Sequence, residues 1–320
     1  MGKTKTATVF GGTGFIGRQV VRELAARDVV VKVATRVPER AYFLRPCGAV
    51  GQVIPYACDY NDADSLREAV RGSDCVVNCI GILFERKKSK FERIHLDLAE
   101  RIAKACKKEN VGRFVHISAL GVDKASSKYA YSKKEGEDAV MDACGHVSIL
   151  RPSVVFGPDD EFFNMFAQVA QIVPFAPLPL VGGGHTRFQP VYVGDVADAV
   201  MACLQKPEAD VCGKVFELGG PEIVTLRGVM EKLFEHSGLK RGLVALPWAL
   251  AKIKAGFLSL LPRPLLTPDQ VDTLKTDNVV SNDALTFKDL DIMPTAMDSI
   301  LPQYLKQYRP GGSFGKVKRA

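Results

Sequence analysis

Short apolar runs rich in valine and isoleucine alternate with amphipathic segments through the first half of the chain. A short apolar run favours a buried strand, whereas apolar positions three and four residues apart favour a helix. The pattern therefore predicts strands at residues 7–10, 29–35, 53–57, 75–79, 114–118 and 147–150, and helices at 16–27, 62–70, 91–108 and 129–143. Such βαβ units predict a doubly wound parallel sheet.

A glycine-rich turn lies between the first predicted strand and the first predicted helix. It contains Gly11, Gly14 and Gly17. Glycines let backbone N–H groups approach a pyrophosphate closely, and the N-terminus of the following helix favours its negative charge. The turn and its flanking elements therefore predict a nucleotide-binding site.

The end of the second predicted strand indicates which nucleotide binds. A site for NAD has an acid about 20 residues past the glycines, where it accepts hydrogen bonds from the ribose hydroxyls. This chain has Thr35 and Arg36 there, and the first acid that follows is Glu39. A guanidinium pairs with a 2′-phosphate, which a carboxylate would repel, so Arg36 favours NADP(H). The alternative interpretation is an ordinary solvated arginine.

The alternation weakens after Pro158, where prolines and glycines mark loops. A strand-to-helix segment at 191–204, a strand at Val215–Leu218 and a helix at Leu226–Ser237 capped by Thr225 are still predicted. We therefore expect an α/β protein with a Rossmann-type nucleotide-binding domain at residues 1–157, which shares later strands. A smaller C-terminal α/β lobe is expected at 158–320.

The segment at residues 243–266 differs from the rest in composition. It is dense in leucine, alanine, phenylalanine and isoleucine, and it contains Trp248, Lys252, Lys254 and Arg263. Charges and prolines interrupt it, so it does not form the ~20-residue apolar helix that crosses a membrane. Two interpretations remain. One is a helix in the membrane interface or on a hydrophobic partner, with Trp248 at the wet boundary. The other is a core helix of the second lobe with lysines at its edge.

Composition narrows the possible classes further. The net charge of +7 is dispersed, apart from residues 86–90 and the terminal Lys316, Lys318 and Arg319. No nucleic-acid-binding module accompanies these charges, so nucleic acid is not an expected partner. The eight cysteines form no Cys-x-x-Cys pair and the five histidines lack ligand spacing, so neither a disulfide framework nor a metal site is expected. No signal or transit segment precedes the first strand, as expected of a bacterial chain or a mature form.

Candidate reaction chemistry follows two later elements. Tyr129 and Lys133 lie four residues apart on a predicted helix, so their side chains share one face. An ammonium beside a phenol lowers the pKa of the phenol and yields a general acid/base for hydride transfer. Ser118 ends a central predicted strand, at the sheet edge where ligands of such folds bind.

Together these residues resemble the extended short-chain dehydrogenase/reductase superfamily. The matching positions are 11–17, Asp59, 78–81, Ser118, Tyr129 with Lys133, 151–152, 156–158 and 191–197. Further stretches at 116–123, 127–133, 266–271 and 277–280 resemble one atypical branch of it. That branch is the NADPH-binding accessory subunit of respiratory complex I (NADH:quinone oxidoreductase), with its α-proteobacterial relatives. The resemblance extends to about Tyr308.

The resemblance implies a tightly held NADP(H) that stabilises the subunit without turning over. It also implies docking on core subunits near the quinone site, with residues 243–266 at the membrane surface. The location would be peripheral, on the cytoplasmic face of a bacterial inner membrane or the matrix face of the mitochondrial inner membrane. The implied cofactor residues are Gly11, Thr13, Gly14, Phe15, Ile16, Arg36, Asp59, Tyr60, Cys79, Gly81, Ser118, Tyr129, Lys133 and Pro152.

The segment from Ser118 to Tyr129 is shorter than in active extended reductases. Ser118, Tyr129 and Lys133 are therefore candidates for a vestigial catalytic set that only holds the cofactor. The alternative is an active NADP-dependent reductase or sugar-nucleotide epimerase, with 243–266 in its substrate lobe. A nucleotide-sensing regulator is a third class, although no regulator-binding element is visible. The apolar, basic character of 243–266 disfavours the polar sugar-diphosphate pocket of an epimerase.

Overall fold

The computed structural model describes residues 5–86, 89–172, 176–262, 264–309 and 312. Several basic residues singled out above lie outside the described residues: Lys87, Lys88, Arg263, Lys316, Lys318 and Arg319.

Short strands and helices alternate along the chain. The strands are β1 (Thr6–Phe10), β2 (Val30–Thr35), β3 (Val53–Ala57), β4 (Cys75–Asn78), β5 (Arg113–Ile117), β6 (Val147–Pro152), β7 (Val155–Phe156), β8 (Leu178–Val181), β9 (Arg187–Phe188), β10 (Val191–Tyr192), β11 (Val215–Leu218), β12 (Val224–Thr225) and β13 (Leu243–Leu246). The α-helices are α1 (Phe15–Ala26), α2 (Ala63–Val70), α3 (Leu98–Lys108), α4 (Lys128–Ala143), α5 (Phe162–Ile172), α6 (Val193–Gln205), α7 (Glu208–Val211), α8 (Leu226–Ser237), α9 (Trp248–Leu258), α10 (Pro268–Thr273) and α11 (Met297–Leu305). A π-helical turn at Glu92–Asp97 precedes α3, and 3₁₀ turns lie at Pro38–Cys47, Gly182–Gly184, Phe287–Leu290 and Lys306–Tyr308.

Seven parallel strands form the central sheet in the order β11-β6-β5-β4-β1-β2-β3. The strand order reverses between β1 and β4, and ligands of doubly wound sheets bind at this switch point, outside the carboxyl ends of the strands. Helices α1 and α6 cover one face of the sheet, and α2, α3 and α4 cover the other, each over its own apolar core. The predicted Rossmann-type α/β fold is confirmed.

Local capping explains several helix boundaries. The Asp62 carboxylate accepts from the Asp64 and Ser65 amides at the start of α2, and Thr225 Oγ1 accepts from the Gly228 amide at the start of α8. These side chains satisfy N–H groups that have no partner inside the helix. Helix α8 ends at Ser237, and its C-cap is Gly238, whose φ of 68° is the left-handed conformation that favours glycine.

The C-terminal half contributes two further apolar cores. The larger is formed mainly by residues of α5, α8 and α11 with β8 and β9. The smaller comprises Val181, Leu246, Ala251, Ala255 and Val271, with Trp248 packed against it. This small core attaches α9 and β13 to α10.

The expectation of a single helix within residues 243–266 is wrong. The segment begins with β13, which pairs in parallel with β8, and becomes helical only after Pro247. The fixed φ of Pro247 suits the start of a helix, whereas its missing N–H ends the strand. Among the described residues, no helix combines the length and apolarity needed to cross a membrane.

Candidate nucleotide-binding site

The glycine turn brings α1 onto the switch point. Gly11 has φ of 72°, and a Cβ there would lie 2.9 Å from the carbonyl carbon of Cys79, at the end of β4. A Cβ at Gly17 would lie 2.2 Å from the Gly11 carbonyl oxygen. Gly14 is the N-cap of α1 and supplies no capping side chain, so the first amides of the helix are presented to a ligand. The cradle fits a pyrophosphate.

The residues beside that turn pack on neighbouring elements. Thr13 and Ile16 are half-buried, and Ile16 contacts the core under α1. The Phe15 ring lies beside Gly157, where a Cβ would come within 3.4 Å of the ring. The predicted residues from Gly11 to Ile16 therefore form one continuous surface at the start of α1.

Arg36, Asp59 and Tyr60 come together at the ends of β2 and β3. The guanidinium carbon of Arg36 lies 5.5 Å from the centroid of the Tyr60 ring. Asp59 is exposed, and its Oδ1 accepts from the backbone N–H of Asn61 at 2.9 Å. The sheet thus brings Arg36, which follows β2, onto the ring of Tyr60, which follows Asp59 after β3.

The remaining predicted residues lie at the ends of β4, β5 and β6 or, for Tyr129 and Lys133, on α4. Lys133 Nζ donates to the Ile117 carbonyl oxygen at 3.1 Å, and a Cβ at Gly81 would lie 3.4 Å from the same ammonium. The backbone N–H of Leu120 donates to the Pro152 carbonyl oxygen at 2.9 Å. Cys79 directly follows β4 and is half-buried, and its backbone N–H donates to the Phe10 carbonyl oxygen.

Two buried polar atoms at this edge have no hydrogen-bond partner among the described residues: Ser118 Oγ and His116 Nε2. Asn78 Oδ1 accepts from the Ile80 amide, so the Asn78 amide group donates to His116 Nδ1 at 3.1 Å. A neutral His116 therefore carries its proton on Nε2, as a second unused donor beside the serine hydroxyl. Buried groups without partners are rare in native proteins. The pair fits a polar ligand such as a nicotinamide ribose.

The expectation that the Lys133 ammonium lowers the pKa of the Tyr129 phenol is wrong for this structure. Burial raises the pKa of Tyr129 to about 12. Its ring meets those of Phe91 and His95 edge-on, at 5.8 and 5.4 Å between centroids. Burial also lowers the pKa of Lys133 to about 8, and its ammonium is held by the Ile117 carbonyl. Desolvation, which the spacing rule ignores, outweighs the charge effect.

His95 is a site residue that sequence reasoning missed. The stretch expected to be one helix begins with the π-helical turn, which directs the His95 side chain toward the loop after β4. There Nε2 accepts from the Ile82 amide at 3.0 Å, so the proton lies on Nδ1, which donates to Ser132 Oγ at 2.9 Å. Ser132 donates in turn to the Tyr129 carbonyl oxygen. Burial and the nearby Lys133 charge lower the pKa of His95 to about 2.

The two C-terminal stretches noted by resemblance, 266–271 and 277–280, contact the same edge. Asp269 accepts from the backbone N–H groups of Lys128 and Tyr129, at 2.7 and 3.1 Å, and so caps α4 from 140 residues away. Asn278 Nδ2 donates to the Leu120 carbonyl oxygen at 2.8 Å, and its Oδ1 accepts from Ser153 Oγ at 2.6 Å. The C-terminal half therefore holds the helix and loops that carry Ser118 and Tyr129.

A largely buried ion cluster joins α4 to β6 and β11. Arg151 donates to Glu137 through Nε at 2.9 Å and Nη2 at 2.5 Å, pairs with Asp123, and lies 3.7 Å from Glu217. Glu137 follows Lys133 by one helical turn, and its charge opposes the burial effect on the Lys133 pKa. Among the described residues, no group of three or more His, Cys, Asp and Glu side chains is arranged to hold a metal.

A separate apolar surface lies on α9. Ala251 and Ala255 face the small core, whereas Ile253, Phe257 and Leu260 are 60%, 73% and 83% exposed. We call the exposed set the α9 face, comprising Leu250, Ile253, Phe257, Leu260, Leu261 and Leu265. The half-buried Trp248 packs against Gly182, where a Cβ would lie 2.0 Å from its ring. Lys252 is paired with Asp272 at 2.7 Å.

Residues 7–219 match the family model described as the NAD dependent epimerase/dehydratase family. The mitochondrial NADH dehydrogenase [ubiquinone] 1 alpha subcomplex subunit 9 of Arabidopsis thaliana is 36% identical over 324 residues, which cover 97% of this chain and 80% of that protein. The mitochondrial NADH-ubiquinone oxidoreductase 40 kDa subunit of Neurospora crassa is 33% identical over a match that covers 97% of this chain and 81% of that protein. The crystal structure of an Escherichia coli NADPH-dependent quinone oxidoreductase complexed with NADPH shares the fold, with a TM-score of 0.70 and 20% identity. The match covers 93% of this chain and 98% of that one.

The chain therefore belongs to the NAD dependent epimerase/dehydratase family of extended short-chain dehydrogenases/reductases. Within that class it belongs to the family of the alpha subcomplex subunit 9, or 40 kDa subunit, of NADH dehydrogenase. The resemblance predicted from the sequence is confirmed, and a nicotinamide dinucleotide is the cofactor class of the family.

Acid should destabilise the fold through His95. The folded chain keeps His95 neutral until the pH approaches about 2, whereas the unfolded side chain takes up a proton near 6.5. The unfolded state thus binds more protons below pH 6.5, and stability falls as the pH falls. For this histidine the loss between pH 7 and 5 is about 2 kcal/mol. Urea unfolding of the wild type and of His95→Gln at both pH values measures it.

The matched control is His146→Gln, since His146 is exposed. His95→Gln should show a shallower loss of unfolding free energy on acidification, while His146→Gln should follow the wild type. Equal pH slopes for wild type and His95→Gln would contradict the assignment of a neutral buried ring.

Proposed function

We propose that this chain is an accessory subunit of respiratory complex I that holds a structural NADP(H) and helps to stabilise or assemble the junction between the hydrophilic and membrane arms near the quinone site. The observation that carries the proposal is the similarity over 97% of the chain to proteins named as subunits of NADH dehydrogenase. The partners are core subunits near the quinone site. Residues 1–157 form the nucleotide-binding domain, with later strands shared, and 158–320 form the smaller lobe.

The chain's own residues hold the nucleotide in three groups. Amides from Gly11 to Ile16, with Thr13, Gly14 and Phe15, bind the pyrophosphate. Arg36 pairs with the 2′-phosphate, beside Asp59 and Tyr60 at the adenosine end. Cys79, Gly81, Ser118, Tyr129, Lys133 and Pro152 surround the nicotinamide ribose and ring. A bound nicotinamide supplies hydride chemistry, but we propose that here it only contributes to stability.

The α9 face docks on the membrane surface. Docking buries the apolar side chains that are exposed on this face. The charged residues of α9 are the basic Lys252 and Lys254, which complement anionic lipid. We place the subunit peripherally, on the cytoplasmic face of a bacterial inner membrane or the matrix face of the mitochondrial one. Lys252 is already paired with Asp272, so Lys254 is the principal lipid contact.

Arg36→Ala should weaken NADP(H) binding and leave NAD(H) binding nearly unchanged. Loss of a charge-assisted pair costs about 1.5–3 kcal/mol, which corresponds to roughly tenfold or more in affinity. Titration calorimetry with NADPH and NADH measures both constants. Arg45→Ala is the control, because Arg45 likewise lies over a tyrosine ring, that of Tyr42. A wild-type chain that purifies with NAD, together with an unaltered Arg36→Ala variant, would overturn the choice of NADP(H).

The bound nucleotide should not turn over. We expect NADPH held by the wild type to stay reduced when carbonyl compounds or sugar nucleotides are added, because Ser118 Oγ has no hydrogen bond to Tyr129 and the Tyr129 pKa is raised. Reduced-nicotinamide absorbance is the readout, with Tyr129→Phe as the comparison. Rapid oxidation that disappears in Tyr129→Phe would favour the alternative function, an active NADP-dependent reductase or sugar-nucleotide epimerase.

Replacement of Ile253, Phe257 and Leu260 by serine should release the chain from membranes while it keeps its nucleotide. Each buried apolar side chain contributes about 1.5–3 kcal/mol, so the triple variant should bind at least about a thousandfold more weakly. For the wild type and the variant, the fraction that floats with membranes and the amount of bound nucleotide are measured in the same preparation. Val50→Ser with Met293→Ser is the control, because both residues are exposed and apolar but lie outside the α9 face. Loss of the nucleotide along with membrane binding would instead indicate a core helix.

A further inference from the structure

Tyr60 is fixed between the ends of two adjacent strands. β2 and β3 are parallel neighbours in which Thr35 is paired with Ala57, so the residues that follow the two strands meet at one edge. Tyr60 Oη donates a hydrogen bond to the Ala34 carbonyl oxygen at 2.8 Å. The Tyr60 ring also packs against Phe10 of β1, with 6.1 Å between ring centroids. The side chain is therefore anchored at its hydroxyl and along its ring.

The Tyr60 ring supports the Arg36 guanidinium, whose carbon lies 5.5 Å from the ring centroid. Arg36 is exposed, and within the described part of the chain no carboxylate is within ion-pair distance of it. A guanidinium is attracted to the face of an aromatic ring, and its N–H groups point outward in its own plane. Burial raises the pKa of Tyr60 well above its usual value, so the hydroxyl stays protonated and continues to donate.

We propose that Tyr60 is a specificity-determining positioning residue, which holds the Arg36 guanidinium at the end of β2 so that the chain prefers NADP(H) to NAD(H). The inference rests on the proposed cofactor and gives Tyr60 a role that acts through Arg36. A long arginine side chain loses rotamer freedom when it pairs with a phosphate, and a ring that already orders it reduces that loss.

NAD(H) has a hydroxyl where NADP(H) has the 2′-phosphate. The conformational ordering of the Arg36 side chain therefore affects the affinity for NADP(H) far more than the affinity for NAD(H). The role of Tyr60 is therefore measured by the ratio of the two dissociation constants. A purely structural role would instead change both constants together, along with the melting temperature.

The test compares NADPH and NADH binding by the full chain carrying Tyr60→Leu, Tyr60→Met or Tyr60→Phe. Leucine and methionine fill space beside Phe10 without a ring face, whereas phenylalanine keeps the ring and loses only the hydroxyl. The control is Tyr42→Leu, because Arg45 lies over the Tyr42 ring at 4.3 Å and forms an arginine–tyrosine pair of the same kind within the 3₁₀ turn Pro38–Cys47. Melting temperatures of all variants show whether each is folded.

We expect Tyr60→Leu and Tyr60→Met to weaken NADPH about two- to fivefold, the effect of an exposed cation–π contact, with little change for NADH. Tyr60→Phe should retain most of the preference, and Tyr42→Leu all of it. In an Arg36→Ala background, Tyr60→Leu should not reduce the ratio further, because the two residues act as one unit.

Two results would overturn the role of Tyr60. One is an unchanged NADPH-to-NADH ratio in both Tyr60→Leu and Tyr60→Met. The other is an equal loss of both nucleotides, which would mark the ring as packing only. If the variants give either result while the wild type still prefers NADPH, the proposal that NADP(H) is the cofactor still stands. A wild type that prefers NADH would overturn the cofactor and, with it, the role of Tyr60.

Discussion

The close approach between the first glycine turn and the end of β4 is the constraint on which the candidate site depends. Gly11 and Gly17 have no room for a Cβ, since one would meet the Cys79 backbone and the other the Gly11 carbonyl. This contact fixes α1 against the switch point of the sheet and aims the uncapped helix N-terminus outward. The ends of β2, β3, β4 and β5 then surround that point, so one backbone contact sets the geometry of the whole edge.

Much of the sheet was predictable because its signals are local. The bounds of β3, β11 and α8 agree with their apolar runs and with the cap at Thr225. The glycine turn was likewise predictable, because its chemistry depends on a few consecutive residues. By contrast, His95 and Asp269 act through partners 13 and 140 residues away, so the neighbouring sequence does not predict their contacts.

Two expectations failed for the same physical reason. The Tyr129–Lys133 spacing predicted a lowered phenol pKa, but burial against Phe91 and His95 raises it. The composition of residues 243–266 predicted one helix, but pairing of β13 with β8 takes its first part into a strand. In both cases an environment built by distant residues outweighed a local rule. The roles of the cofactor residues stay predictions from resemblance.

The Asp269 cap has a consequence for how the chain is made. Helix α4 leaves the ribosome long before Asp269 is synthesised, and β11, the outer strand of the central sheet, also comes late. Until then the first amides of α4 lack their carboxylate and β6 lacks its outer neighbour. The nascent N-terminal half therefore has an open sheet edge, and α4 has only its local cap, in which Ser127 accepts from the Ala130 amide. An open strand edge favours pairing with other chains, so this half of the protein is prone to misassembly until the last third of the polypeptide has been synthesised.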